Sequence, residues 1–211
     1  MNIVKLTLGE LASNCYILEA PDKTAIVIDP GAEAEVIIAE LECRGLTLGK
    51  ILLTHGHFDH MGAAAELKER YGAQVYISAA DEELLDDKVK SVAYFLPDIP
   101  FRPVEADVRI KEGDVISQGS MKISVIETPG HTAGSVCFIT DDCIFTGDTL
   151  FHGSVGRTDL FSGDASAEIK SVKRLAALDK NYKLCCGHGS DTDLETERKI
   201  NPFITGNHQI F

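Results

Sequence analysis

A chain of 211 residues can bury about 70% of its unfolded surface, so it folds around a core of its own without disulfide staples. Lys and Arg number 20 against 33 Asp and Glu, and a formal net charge of -13 argues against a nucleic-acid partner. No apolar run reaches the roughly 18 residues of a membrane span, and the opening residues lack the apolar stretch of a secretory leader, so a cytoplasmic address without membrane contact is expected.

The first residues read as strands over 2–8, 14–20 and 24–30, separated by turns bearing Gly, Ser and Pro. In 33–45, Ala34, Ile37, Ile38 and Leu41 recur with the i, i+3, i+4, i+7 spacing of an amphipathic helix that Gly45 ends. KILLTH (50–55) reads as a short buried strand, and Met61 to Tyr71 as a helix with Ala64, Leu67 and Tyr71 on one face. A strand follows at 73–78, then a short helix at 79–87. The three prolines of 95–108 mark an irregular surface crossover between two halves of one domain. Strands are predicted again at 107–110, 114–117, 121–130, 135–140 and 143–148. Ile169, Val172, Leu175 and Ala176 share a face of a helix over 164–178, with Asp164 as its cap. A last strand covers 182–189, and a last helix covers 194–203, stopped near Pro202.

No linker, low-complexity run or short repeat interrupts this order, so a single domain over 1–211 is expected. The class is α/β of the α+β type, with two sheets packed face to face and helices outside. The cysteines at 15, 43, 137, 143, 185 and 186 form no CxxC pair and are expected as small buried hydrophobes; Cys185 and Cys186 lie just before His188.

Four of these strands run out into short, glycine-bearing turns tipped by His or Asp. LTHGHFDHMG carries His55, His57, Asp59 and His60 within six residues. VIETPGHTAGS ends in His131, CIFTGDT in Asp148 and LCCGHG in His188. Imidazole nitrogen and carboxylate oxygen are ligands that zinc, iron and manganese accept. Taken alone, His131 or Asp148 is as readily an ordinary turn residue. Three histidines in six residues have few structural uses, and a regular helix or strand cannot aim all four polar groups at one point. A loop wrapped around a metal pair can, and the seven side chains fill two sites if one carboxylate bridges.

THGHFDH, PGHTAGS, FTGDTLF and CGHGS resemble, in order, the signature segments of the metallo-β-lactamase superfamily, and IDPG at Asp29 resembles its early strand-end segment. The resemblance implies an αββα four-layer sandwich with the metals at one edge of the two sheets. It implies a first metal on His55, His57 and His131, a second on Asp59, His60 and His188, and Asp148 bridging them. Asp148 stands where one zinc β-lactamase class has Cys, and His57 where flavodiiron proteins have Glu. GDTLFHGSVGRTDLFSGD (147–164) and ETERKINPF (195–203) are similar to segments of hydroxyacylglutathione hydrolases (glyoxalase II) and their short bacterial relatives. No counterpart of the C-terminal helical domain by which the full-length enzymes hold glutathione is expected, and the chain reads GHGSDTD where they carry GHEYT.

The implied activity is hydrolysis of a small thioester of the S-lactoylglutathione kind. Two divalent ions are implied as cofactors, most simply zinc with iron or manganese accepted, and Asp59 and Asp148 as the catalytic carboxylates. A monomer or homodimer is expected. The alternatives are a mononuclear iron persulfide dioxygenase, whose GRTDF-like segment is matched except at Leu160, and a hydrolase of lactones or other esters. Arg157 is expected either to pair with Asp159 or Asp29 or to touch substrate, and His152 to lie on an exposed loop or at the mouth of the site. Tyr16, Tyr94, Phe151 and Phe161 are expected in the core or cleft wall, and His208 is given no role.

Overall fold

The structure is a computed structural model and describes residues 1–206; His208 lies outside them. The apolar runs of the first half form one sheet, with β1 (Asn2–Leu8), β2 (Ser13–Glu19), β3 (Thr24–Ile28), β4 (Thr47–Leu52), β5 (Gln74–Ser78) and β6 (Val108–Ile110) side by side in chain order. β1, β2 and β3 are antiparallel neighbours, whereas β3 through β6 run parallel. Parallel neighbours need long crossovers. α1 (Ala34–Cys43) makes the one from β3 to β4, and α2 (Phe58–Met61) with α3 (Ala64–Tyr71) the one from β4 to β5.

The second half begins with β7 (Val115–Gln118), β8 (Met121–Glu127), β9 (Val136–Ile139) and β10 (Cys143–Gly147), all antiparallel. A small hairpin of β11 (Leu150–Phe151) and β12 (Ser154–Val155) then leads to α4 (Ala165–Ala176). β13 (Lys183–Cys186) pairs parallel with β10, β14 (Thr192–Asp193) closes that edge, and α5 (Leu194–Ile200) and α6 (Pro202–Thr205) follow.

Side chains alternate across a strand, and here both faces are covered. Tyr16, Leu18, Ile26, Ile28 and Leu52 of the first sheet meet Ile123, Val125, Phe138 and Phe145 of the second. The alternate positions Cys15, Ile17, Val27 and Ile51 turn outward onto Ile37 and Leu41 of α1 and Leu67 of α3. Cys137, Ile144, Leu184 and Cys186 turn outward onto Val172 and Leu175 of α4 and Leu194 of α5. The result is the αββα sandwich, and the double burial explains why these strands read as continuous apolar runs. Each fully buried Val, Leu, Ile or Phe adds roughly 1.5–3 kcal/mol.

Several expected elements differ. The helix expected from Met61 to Tyr71 is broken at Gly62–Ala63, where the Ala63 amide donates to the Pro30 carbonyl at 2.9 Å; α2 starts earlier, at Phe58. The helix expected at 79–87 is only a 3-10 turn over Glu82–Leu84. Downstream, the Asp87 carboxylate accepts the Val89 and Lys90 amides, which draws the chain away from helical continuation. The helix expected over 194–203 ends at Ile200 as α5, stopped before Pro202 as expected, and Pro202 then starts α6, with the Asn201 side chain accepting the Phe203 amide. The segment 95–108 joins β5 to β6 within the first sheet; the passage between sheets falls at 111–114. Cys43, at the end of α1, is exposed, against the expectation that all six cysteines are buried. Tyr16 is core, but Tyr94 and Phe161 are 47% and 40% exposed. The Asp164 cap is as expected, its carboxylate accepting from Ser166 and Ala167. Among the described residues no helix is long and apolar enough to cross a membrane.

Candidate metal centre

The parallel strands β3, β4, β10 and β13 all end on the same side, where α/β sheets place their ligand sites. Asp29 follows β3, His55 to His60 follow β4, Asp148 follows β10 and His188 follows β13. His131 enters from the turn after β8. All seven side chains singled out in the sequence meet there. Ligand atoms of His55, His57 and His131 lie within 4.8 Å of one another, as do those of Asp59, His60 and His188, and those of His55, His60 and Asp148. Asp148 therefore stands between the two triads. Its Oδ1 is 3.3 Å from His60 Nε2, and its Oδ2 is 3.6 Å from both His131 Nε2 and His188 Nε2. His188 Nε2 is 3.2 Å from Asp59 Oδ2.

The donor set fits cations. His55 Nε2 and Asp148 Oδ1 are buried without a hydrogen-bond partner. Each such group costs roughly 1–3 kcal/mol, which a bound cation removes. His131 Nε2 and His57 Nδ1 face each other at 2.9 Å, a separation that needs a shared proton or a shared cation. Space is kept for occupants too: a Cβ on Gly187 would sit 2.2 Å from Asp148 Oδ1 and 2.8 Å from His60 Cε1.

The far nitrogens are held from behind, as ligating histidines require. Asp29 Oδ2 is 3.1 Å from His60 Nδ1, the Arg157 carbonyl 2.7 Å from His131 Nδ1, the Leu11 carbonyl 3.1 Å from His188 Nδ1, and the Thr54 hydroxyl 3.1 Å from His55 Nδ1. Ser13 Oγ donates to Asp59 Oδ2 at 2.9 Å. Asp29 also accepts the Thr54 amide at 2.8 Å and the Thr54 hydroxyl at 2.7 Å. Replacing Asp29 by Ala strips three buried bonds and is expected to cost about 3 kcal/mol of stability. Metal affinity should fall roughly 10–100-fold. Thermal melts and metal titration check this, and Asp29→Asn, which keeps the shape, should be milder.

Charge in the cluster is divided. Burial, aided by repulsion from His60 and His57, holds the His55 imidazole well below its ordinary range. Burial and then His131 push His57 down to about 3. Burial alone would lower His60, but Asp148 and Asp59 raise it well above the usual histidine value. His188 is likewise raised: burial opposes, and its hydrogen bond to Asp59 prevails with Asp148. Burial would raise the carboxylates, yet His60 and His188 hold Asp59 at about 2, and His60 and His131 hold Asp148 far below the usual range. At neutral pH the first triad thus offers unprotonated His55 and His57, and both acids are ionised.

Two carboxylates that did not stand out in the sequence support the turns. Asp81 accepts the Gly56 and Gly134 amides at 3.0 and 2.8 Å and the Thr132 hydroxyl at 2.7 Å, tying the loop after β4 to the His131 turn. Glu168 of α4 accepts the His131 amide at 2.9 Å, and burial pushes its carboxyl up to about 8. Its sequence signal is an acid on the apolar stripe, four residues before Val172. Arg157 pairs with Asp159 at 2.7 Å, not with Asp29, and serves His131 through its carbonyl. The His152 side chain is exposed and lies 3.5 Å from buried Glu197.

Residues 8–188 match the profile of the metallo-beta-lactamase superfamily. Hydroxyacylglutathione hydrolase GloC of Haemophilus influenzae is 35% identical, over 97% of this chain and 98% of its own length. Among solved structures, the BLEG-1 B3 metallo-beta-lactamase superposes with a TM-score of 0.90 at 34% identity, covering 97% of this chain and all of that one. TTHA1623 in a di-iron-bound form superposes with a TM-score of 0.84 at 37% identity, covering 95% and 99% of the two chains.

Proposed function

The chain belongs to the metallo-beta-lactamase superfamily, and from that premise we propose that it is a dinuclear metal-dependent hydrolase of small thioesters, of the kind GloC's name describes. The observation that carries the reading is the pair of complete triads with Asp148 between them. His55, His57 and His131 would hold one ion, Asp59, His60 and His188 the other, and Asp148 both. Zinc suits this donor set, and iron or manganese is accepted; the di-iron form of TTHA1623 favours two ions over one. Two such cations supply Lewis acidity and bring the ionisation of water toward neutral pH.

The chain's own residues do the rest. Asp59 Oδ2 is held by Ser13 and faces His188 Nε2, where the two would share an ion, which leaves Oδ1 to accept a hydrogen bond from the attacking water. Asp29 and the Arg157, Leu11 and Thr54 oxygens keep the imidazoles aimed, so little reorganisation accompanies reaction. In the overall change the water oxygen ends on the acyl carbon and the thiol takes the proton. A thiol near pKa 8.5 leaves as thiolate, so no strong acid is needed. A mononuclear iron dioxygenase would leave Asp59, His60 and His188 without a use.

The test is a panel on protein of measured metal content: S-lactoylglutathione, other acyl thioesters, a lactone, a β-lactam, and glutathione persulfide with oxygen uptake. Thioester turnover that chelation abolishes and zinc, iron or manganese restores is expected. Metal-loaded protein that cleaves no thioester sinks the reading. Because ions bind only the folded chain, each at 1,000 times its dissociation constant adds about 4 kcal/mol. Chelation should therefore lower the Tm by roughly 10 °C per ion.

A further inference from the structure

Beside Asp59 lies a pocket of about 140 Å³ that the reaction as derived does not use. The β1–β2 turn contributes Leu8 and Leu11, α2 contributes Phe58, and the irregular segment after β5 contributes Ala93, Leu96 and Phe101. Ser13 and Asp59 line it as well, which sets it beside the second triad. Its wall is apolar, and its charged groups are occupied or acidic. Arg102 is held by Glu69 at 2.7 Å and Glu66 at 3.5 Å. Glu33 accepts the Gly9 amide at 2.9 Å and fixes the turn that roofs the pocket.

Two halves of a thioester compete for such a space. A peptide thiol with carboxylates, such as glutathione, is too large for it and meets no free cation there. An apolar acyl group meets neither obstacle, and the volume is close to the roughly 150 Å³ of an apolar cavity that takes benzene. We propose that this pocket is an acyl subsite, selecting an apolar acyl group of about six carbons, aliphatic or benzoyl, with Leu96 as a specificity-determining residue. The proposal rests on the thioesterase reading above and narrows it: lactoyl, short and hydroxylated, underfills the pocket.

The experiment uses the metal-loaded full chain and thioesters of one small thiol, N-acetylcysteamine, with acetyl, lactoyl, butyryl, hexanoyl, benzoyl and decanoyl groups. A buried methylene adds about threefold in kcat/KM, so hexanoyl should exceed butyryl about tenfold. Decanoyl should fall off. Leu96→Trp fills the pocket and should cut the hexanoyl-to-acetyl ratio about tenfold or more; Leu96→Ala should move the optimum to longer chains. Calorimetry with the S-ethyl and S-hexyl derivatives of the same thiol reads the pocket without turnover, and S-hexyl should bind tighter. If Leu96→Trp does not fold, the wild-type profile and Leu96→Ala decide. A profile flat in chain length, with thioesters cleaved, overturns the subsite and leaves the thioesterase reading standing. Tighter S-hexyl binding with no thioester cleaved supports the subsite and sinks that reading. Equal binding with no cleavage overturns both.

Discussion

Asp148→Ala lowers kcat/KM for thioester hydrolysis by about three orders of magnitude, or about 4 kcal/mol. The carboxylate reaches both triads, with Oδ1 3.3 Å from His60 and Oδ2 3.6 Å from His131 and His188. Its Oδ1 lies within ion-pair range of His60 but is buried without an aligned hydrogen bond, which leaves that oxygen open to a cation. Removing it should cost the metal-free protein some stability, because burial opposes the charge but His60 and His131 hold the carboxylate ionised in the fold, and should cost the loaded protein much of its metal. Asp148→Asn keeps the volume and loses the charge, and it should behave like Asp148→Ala. Steady-state kinetics with metal content measured on the same samples checks this. An Asp148→Ala protein with near-normal kcat/KM would remove Asp148 from the site.

Gly187→Ala and Gly189→Ala, on either side of His188, should have opposite consequences. A Cβ on Gly187 meets Asp148 Oδ1 at 2.2 Å, the Gly147 carbonyl carbon at 2.8 Å and His60 Cε1 at 2.8 Å, so site atoms must shift. A displacement near 1 Å costs about 100-fold in rate, and metal should be lost with it. A Cβ on Gly189 meets nothing within 4 Å, but that residue holds a φ of +68°, which a side chain disfavours by about 1 kcal/mol. Gly189→Ala should therefore lower the melting temperature by a few degrees and leave metal content alone. Metal analysis and thermal melts on the two variants separate them.

The cluster was legible because its members are rare residue types at the ends of apolar strands, where periodicity and composition both change. His55, His57, Asp59 and His60 needed no long-range information. The supports were less visible for physical reasons. The Leu11 and Arg157 oxygens that hold His188 and His131 are backbone carbonyls, which every residue carries. Glu168 was hidden in a helical stripe expected only to pack. The break after α2 depends on a distant approach, since a Cβ on Gly62 would meet the Gly31 carbonyl at 2.3 Å. The pocket beside Asp59 joins the turn after β1 to residues about ninety positions later, and no local pattern announces that. Two sheets with outer helices followed from counting apolar faces, and Pro202 read rightly as the stop of α5, whereas the start of α6 at Pro202 depends on the Asn201 cap.

The central claim is that seven side chains from both halves of the chain hold two ions at one place. Its most direct test is the metal content of the purified full chain, equilibrated with excess zinc, desalted and analysed by elemental spectrometry. Two ions per chain are expected for the wild type. One ion or none in folded wild-type protein would contradict the account.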